Sequence, residues 1–291
     1  MKKIIIMLMS CNQEHFLKQE QDCIDTYLSR LPDNFDYIIY RSNNTNTFEF
    51  DSDKHLLLVP EKDDLFNTFN KTYSAFYWLV NNMQYDYILR TNTSTYINIE
   101  LLNAFVQSLD NDTELWGSEL FYDCVKQNVK GMYLRGNCLL LSKRHIHTIL
   151  NDGMLCVLMS NRLIDDETIG AIFLLHPEYT IRSYTECWYK SLNKQYSYHQ
   201  ISMMNNTDKS FNLLKKCVAI QIRNYEDRSL EHQYYFEIDE VFKNNKYTDI
   251  SDCVNFLYDY STHPDVFCGE KFGYAQTKYI NNNYVIKNGT T

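Results

Sequence analysis

The chain has 291 residues, 44% of them hydrophobic and 15% aromatic, which is ample for one large α/β domain or one domain with an appendage. A formal net charge of −9 without any basic stripe argues against a protein that grips the phosphate backbone of nucleic acid. No stretch approaches the roughly 20 apolar residues of a membrane span.

Ile4 to Met9 is predicted as a strand. The preceding Lys2-Lys3 gives the run a superficial likeness to a signal peptide. At about six residues it is shorter than the roughly 7–15 of a signal's apolar region, so it reads as a buried first strand of a cytoplasmic protein. Nine cysteines without a C-x-x-C pair fit that reading, as reduced and mostly packed thiols.

Gln13 to Leu31 is predicted as a helix ending at Pro32-Asp33-Asn34, followed by short strands at Tyr37 to Tyr40 and Leu56 to Val59. Ser42 to Asp53 between them is a polar loop. Asp63 and Asp64 read as capping and solvated charges ahead of a helix over Leu65 to Met83. There Leu65, Phe69, Tyr73, Phe76 and Leu79 fall at three- and four-residue steps. Strand, helix, strand, helix, strand is the opening of a doubly wound nucleotide-binding sheet.

Tyr87 to Leu89 is the next buried strand, running through a short polar turn into a second apolar stretch. A strand that delivers small polar side chains to its C-terminal edge is how open α/β sheets build nucleotide sites. A helix over Leu101 to Leu109, a strand over Glu114 to Phe121 and an approach along Gly131 to Leu141 follow. Helices are expected at His145 to Asn151 and Glu167 to Leu175. Trp116 reads as core. Beyond about residue 205 only a strand at Cys217 to Ile222 and a mixed polar-aromatic segment at Leu230 to Phe242 stand out, and the tail from Asn281 is expected to be poorly ordered.

Three blocks recur in order: Tyr85-Asp86-Tyr87-Ile88-Leu89-Arg90-Thr91-Asn92-Thr93-Ser94-Thr95-Tyr96-Ile97-Asn98, then Gly136-Asn137-Cys138-Leu139-Leu140-Leu141-Ser142, then Arg162-Leu163-Ile164-Asp165-Asp166-Glu167-Thr168-Ile169-Gly170. A weaker fourth is the pair Tyr198-His199. With this spacing the chain resembles the fringe and β-1,3-galactosyltransferase group, glycosyltransferase family 31, over roughly residues 60 to 200. The resemblance implies a GT-A-like (Rossmann-like) open α/β sheet with helices on both faces. Residues 1–204 would form the nucleotide-sugar and catalytic domain, and 205–291 a C-terminal extension packed on its acceptor side. The implied activity is inverting transfer of a hexose or N-acetylhexosamine from a nucleotide sugar, UDP-linked by resemblance, to a hydroxyl of a glycan or glycolipid acceptor.

Such transfer needs a base for the acceptor hydroxyl and a means of stabilising the departing diphosphate. The resemblance implies, by position, that the base is Asp166, with Asp165 as the neighbour that orients it or raises its pKa. The competing reading makes both residues caps of a helix that begins near Glu167. Asn92, Thr93 and Ser94 stand where the family has its metal-binding aspartates, and their neutral oxygens are poor ligands for Mg²⁺ or Mn²⁺. Three accounts stay open: a metal-independent enzyme using Arg90, His199 and backbone N–H donors; a metal held by the diphosphate and His199; or a frame that has lost catalysis. No cofactor is assigned.

Ser10 and Cys11 would end the first strand beside the nucleotide base. Gly136 would let the backbone approach the donor, or only serve a turn. Arg135 would bind phosphate or face solvent. Glu119 and Tyr133 would contact the acceptor. The rival function is a non-catalytic glycan- or nucleotide-binding protein on a decayed transferase frame. Nucleotidyl transfer is disfavoured because it needs the acidic metal ligands that are missing.

Overall fold

The computed structural model describes residues 1–43, 46–117, 120–123, 131–134, 136–159, 164–183, 186–189, 195–196, 215–222, 228–244, 247 and 249–262. Strands β1 (Ile4–Met9), β2 (Phe35–Ser42), β3 (Glu49–Asp51), β4 (Leu56–Val59), β5 (Tyr87–Asn92), β7 (Glu114–Gly117), β10 (Cys138–Ser142) and β11 (Thr180–Ser183) form an eight-stranded sheet in the order β11-β7-β10-β5-β1-β2-β4-β3. Its centre is parallel: β1 pairs with β2 and β5, and β2 with β4. β10 runs antiparallel between β5 and β7, and β3 is an antiparallel edge.

Helices cover both faces, which is why β1 is apolar at every position. Ile4, Ile6 and Leu8 point toward α1 (Glu14–Asp25), α3 (Ile99–Ser108), α6 (Glu231–Asn244) and α7 (Ile250–Thr262). Ile5 and Met7 point the other way, toward α2 (Thr68–Asn82), α4 (Lys143–Met159) and α5 (Asp165–Leu174). The α/β open sheet with two covered faces is therefore the fold expected from the sequence.

Local chemistry sets several element ends. Asn98 caps α3 by accepting from Leu101 N at 3.3 Å. At the other end of α3, Lys2 donates to the carbonyls of Val106 (3.0 Å) and Gln107 (3.3 Å), which suits a cation at a helix C-terminus. Ser142 and His145 close a reciprocal box at the start of α4. Ser142 N donates to His145 Nδ1 at 2.9 Å, and His145 N donates to Ser142 Oγ at 3.3 Å, with the imidazole standing where such boxes usually carry Glu or Gln. Trp116 is fully buried, edge-on to Phe105.

Some boundaries differ from expectation. The first helix stops at Asp25, because Thr26 turns its hydroxyl back to Asp22 O and buries Tyr27 and Leu28 behind a short 3₁₀ turn. The loop Ser42 to Asp53 contains β3. The single strand expected over Glu114 to Phe121 is two: β7 in the main sheet and β8 (Leu120–Asp123), which pairs with β9 (Gly131–Leu134). The stretch after the polar turn, β6 (Thr95–Ile97), leaves the main sheet. It joins a four-stranded sheet ordered β13 (Gln195–Tyr196), β12 (Glu186–Tyr189), β14 (Ala219–Ile222), β6.

The segment from Leu230 is helix α6, whose buried face is Tyr234, Tyr235 and Ile238; α7 follows it with no signal noticed in the sequence. Residues beyond 205 thus supply β14 beside β6 and α6 against α1. Among the described residues no helix is long and apolar enough to cross a membrane, and Cys11, Cys23, Cys138, Cys217 and Cys253 are free thiols.

Candidate active site

The strand order places a topological switch between β1 and β5. The chain leaves β1 toward β2 and β4, then returns to the other side of β1 as β5. Ligands of open α/β sheets bind in the crevice outside the carboxyl ends of such strands. Met9 opposite Asn92 is the last β1–β5 pair, so Ser10 and the Asn92–Ser94 turn flank this crevice.

On the β5 side, Arg90 is 1% exposed and pairs through Nη2 with Asp165 Oδ2 in the first turn of α5. Thr72 Oγ1 also donates to Asp165 Oδ2, at 3.4 Å, while Asp165 N donates to Thr68 Oγ1 at 3.2 Å. Tyr40 and Thr72 exchange a hydroxyl hydrogen bond at 3.0 Å. Asp165 is therefore buried and fixed by its partners. It does not cap α5: the N-cap is Ile164, which contributes no side-chain bond, and both aspartates lie inside the first turn. The helix begins two residues before the expected Glu167, which corrects the capping reading.

Asp166 is turned differently. Its Oδ2 accepts from Gly136 N at 3.0 Å and its Oδ1 from Glu167 N at 3.0 Å. Burial pushes its carboxyl up to about 6; the charge of Asp165 adds to the rise, and Arg90 opposes it. Asp165 acts on Asp166 through its charge, since its own side-chain and N–H contacts among the described residues run to α2 and β5. Thr91 Oγ1 holds the loop in place by donating to Asn137 O at 2.7 Å. A side chain at Gly136 would collide with Arg90 Nη1 at 2.8 Å and crowd the Asp166 carboxyl at 3.3 Å. The absence of a Cβ is what lets β5, this loop and α5 meet.

The turn at Asn92, Thr93 and Ser94 is committed inward. Asn92 Oδ1 accepts from Ser94 N (3.1 Å), Ser94 Oγ (2.9 Å) and Thr95 Oγ1 (3.0 Å). Thr93, 1% exposed, donates to Gln19 Oε1 at 3.1 Å. With Asn92 Oδ1 already taking three donors and both hydroxyls donating inside the fold, the turn has no oxygen suited to a divalent cation, which favours carboxylates. Residues 92–94 do not fit the metal that the resemblance implies. Asn92 Nδ2 makes no hydrogen bond among the described residues, and an amide N–H is a group that can donate to an anion.

On the β1 side, Ser10 Oγ and Ser42 Oγ are buried at neighbouring strand ends without partners among the described residues. Buried orphan hydroxyls call for an explanation, and a polar ligand is one. Lys71, 3% exposed, donates to Ser10 O at 3.0 Å and to Asp63 Oδ1 at 2.8 Å. Asp63 also accepts from Asn12 N at 3.0 Å, so it is a paired strut rather than a solvated charge. Asp64 does cap, accepting from Phe66 N at 2.9 Å.

Arg135, Glu119, Tyr198, His199 and the tail from residue 281 lie outside the described residues, as does the Tyr133 side chain. Thr72, Thr91, Tyr40 and Lys71 were not singled out in the sequence. Only Lys71 and Thr72 carried any trace, as polar residues on the buried side of a helix otherwise read for its apolar stripe.

No protein-family model matches the chain, and no curated protein matches it in sequence. Solved structures similar to it include the glycosyltransferase GlyE of Streptococcus pneumoniae TIGR4, 12% identical over 89% of this chain and 64% of that one, with a TM-score of 0.43. A glycosyltransferase involved in glycosylation of the major capsid of PBCV-1 is 9% identical over 80% of this chain and 98% of that one, with a TM-score of 0.46. The galactosyltransferase LgtC, solved with donor and acceptor sugar analogs, is 9% identical over 85% of this chain and 97% of that one, with a TM-score of 0.42. The chain spans about 64% of the length of GlyE.

Proposed function

We propose that the chain is an inverting glycosyltransferase that moves a hexose or N-acetylhexosamine from a nucleotide sugar to a glycan or glycolipid hydroxyl, with Asp166 as the general base. One observation carries the reading. A carboxylate is held by a backbone N–H at the switch-point crevice, in surroundings that raise its pKa to about 6. A base of that strength is largely ionised at neutral pH and still strong enough to take a proton in the transition state.

As the acceptor oxygen attacks the anomeric carbon, its proton passes to Asp166. The bond from that carbon to the donor phosphate breaks on the opposite side, and the nucleoside diphosphate leaves. Its charge is met by Asn92 Nδ2, by backbone N–H donors of the turn, and by Arg135 and His199. Ser10, at the end of β1, lies toward the nucleotide, UDP by resemblance. Glu119 and Tyr133 would contact the acceptor. The described cysteines are free thiols, in keeping with a cytoplasmic enzyme. The second reading, a non-catalytic glycan- or nucleotide-binding protein, draws on the inward commitment of Asn92, Thr93 and Ser94.

The test is release of nucleoside diphosphate from a panel of UDP, GDP and dTDP sugars, with thermal shift by each nucleotide measured alongside. Turnover supports the transferase. Binding without turnover supports the second reading, and neither binding nor turnover removes the transferase together with the nucleotide-binding form of the second reading.

A further inference from the structure

The turn at residues 92–94 is gripped from behind. Thr93 Oγ1 donates to Gln19 Oε1 at 3.1 Å, and Gln19 Nε2 donates to Glu231 Oε2 at 2.7 Å. The Tyr235 hydroxyl donates to Thr93 O, and Ile222 N donates to Ser94 O at 2.8 Å. Gln19 is 2% exposed, Glu231 1% and Tyr235 0%. Glu231 is steadied in turn by Arg228 Nε at 3.2 Å. Two helices far apart in the chain, α1 and α6, thus send buried polar groups to the hydroxyl and carbonyl of a single turn residue.

Apolar side chains would hold α6 against α1 at less desolvation cost, since every buried polar atom must find a partner. What a fully satisfied polar network adds is one defined geometry. That geometry has a use at this turn. Lacking carboxylates, it has no metal ion to tie it to a diphosphate, so its donors must be set in advance by the protein.

We infer that Gln19, Glu231 and Tyr235 are positioning residues which hold the Asn92–Ser94 turn in the shape that receives the donor's diphosphate, so that helix α6 governs donor affinity from behind the crevice. The inference rests on the nucleotide-sugar reading above. It concerns binding of the diphosphate rather than the proton transfer at Asp166.

The test measures UDP binding by titration calorimetry, with GDP and dTDP in parallel, for the full chain and for Tyr235→Phe and Gln19→Met. KM, kcat and the thermal midpoint are measured on the same samples. Tyr235→Phe keeps the ring and loses one hydrogen bond, so it serves if Gln19→Met does not fold. The expected result is a rise of about tenfold in the nucleotide Kd and in KM, with kcat within about twofold of wild type. A lowered thermal midpoint with unchanged nucleotide Kd overturns the inference and leaves a purely structural network, with the transferase reading intact. Binding of UDP without turnover removes the transferase, while the Kd comparison still decides the positioning role. Failure of the wild-type chain to bind any of the three nucleotides overturns the donor reading and this inference with it.

Discussion

Arg90 of β5 and Asp165 of α5 form an ion pair whose side chains are 1% and 6% exposed. Removing one partner of a buried pair leaves the other charge unpaired at a cost of about 3–5 kcal/mol, whereas replacing both by apolar residues is often close to neutral. Arg90→Met is therefore expected to destabilise the fold by about that amount, and Arg90→Met with Asp165→Leu to recover most of it. Urea denaturation of the three proteins measures both. A single variant as stable as wild type contradicts the pairing.

Burial sets the behaviour of Asp166, with the charge of Asp165 adding to it and Arg90 opposing it. With a folded pKa of about 6 against 3.8 for an ordinary aspartate, the folded state binds more protons than the unfolded chain between those values. Stability contributed by this group is full below pH 3.8 and is lost as pH rises through 6. Asp166→Asn is expected to match wild type in stability near pH 4 and to exceed it at pH 8, by up to about 3 kcal/mol. Activity should move the other way, with kcat/KM of the wild type rising through about pH 6 as the base ionises. Thermal midpoints and rates across pH 4–8 read both trends.

Gly136→Ala places a methyl 2.8 Å from Arg90 Nη1 and 3.2 Å from Asp166 Cβ. Overpacking of this kind costs about 1–3 kcal/mol. Because the displaced groups include the base, kcat is expected to fall more than stability alone explains. Equal kcat in a variant with a lowered midpoint would place Asp166 outside the chemistry.

His145 provides a second pH-dependent marker, away from the crevice. Burial lowers its pKa from 6.5 to about 4, so the unfolded chain binds the extra proton between those values. Its contribution to stability is full above pH 6.5 and is lost as pH falls toward 4, about 3 kcal/mol in all. His145→Gln keeps an acceptor for the box with Ser142 and removes the titration. Its stability is expected to fall less than that of wild type between pH 6.5 and 4, by urea denaturation.

Elements whose burial follows a local period were legible in the sequence. β1 stands out because both its faces are covered, and α2 because its apolar residues recur at helical steps. Asp165 and Asp166 were singled out through the order of three short blocks. Their different partners were not legible, because Arg90, Thr72 and Gly136 arrive from three other elements. Helix α6 escaped notice because its buried face is built from Tyr234, Tyr235 and Ile238 among acidic residues, which blurs the apolar stripe. The Gln19–Glu231 contact spans 212 positions, a separation on which no local pattern bears. Asn92 to Ser94 read correctly as a polar turn lacking carboxylates, but that their oxygens face inward is visible only in three dimensions.

The most direct test of the account is turnover of nucleotide sugars in the presence of EDTA by wild type and Asp166→Asn, with nucleotide binding measured on the same samples. Wild-type turnover is expected to survive EDTA, and Asp166→Asn to bind nucleotide as wild type does while losing about 10²–10⁴ in rate. A variant that turns over at the wild-type rate would contradict Asp166 as the base, and turnover abolished by EDTA and restored by Mn²⁺ would contradict transfer without a metal.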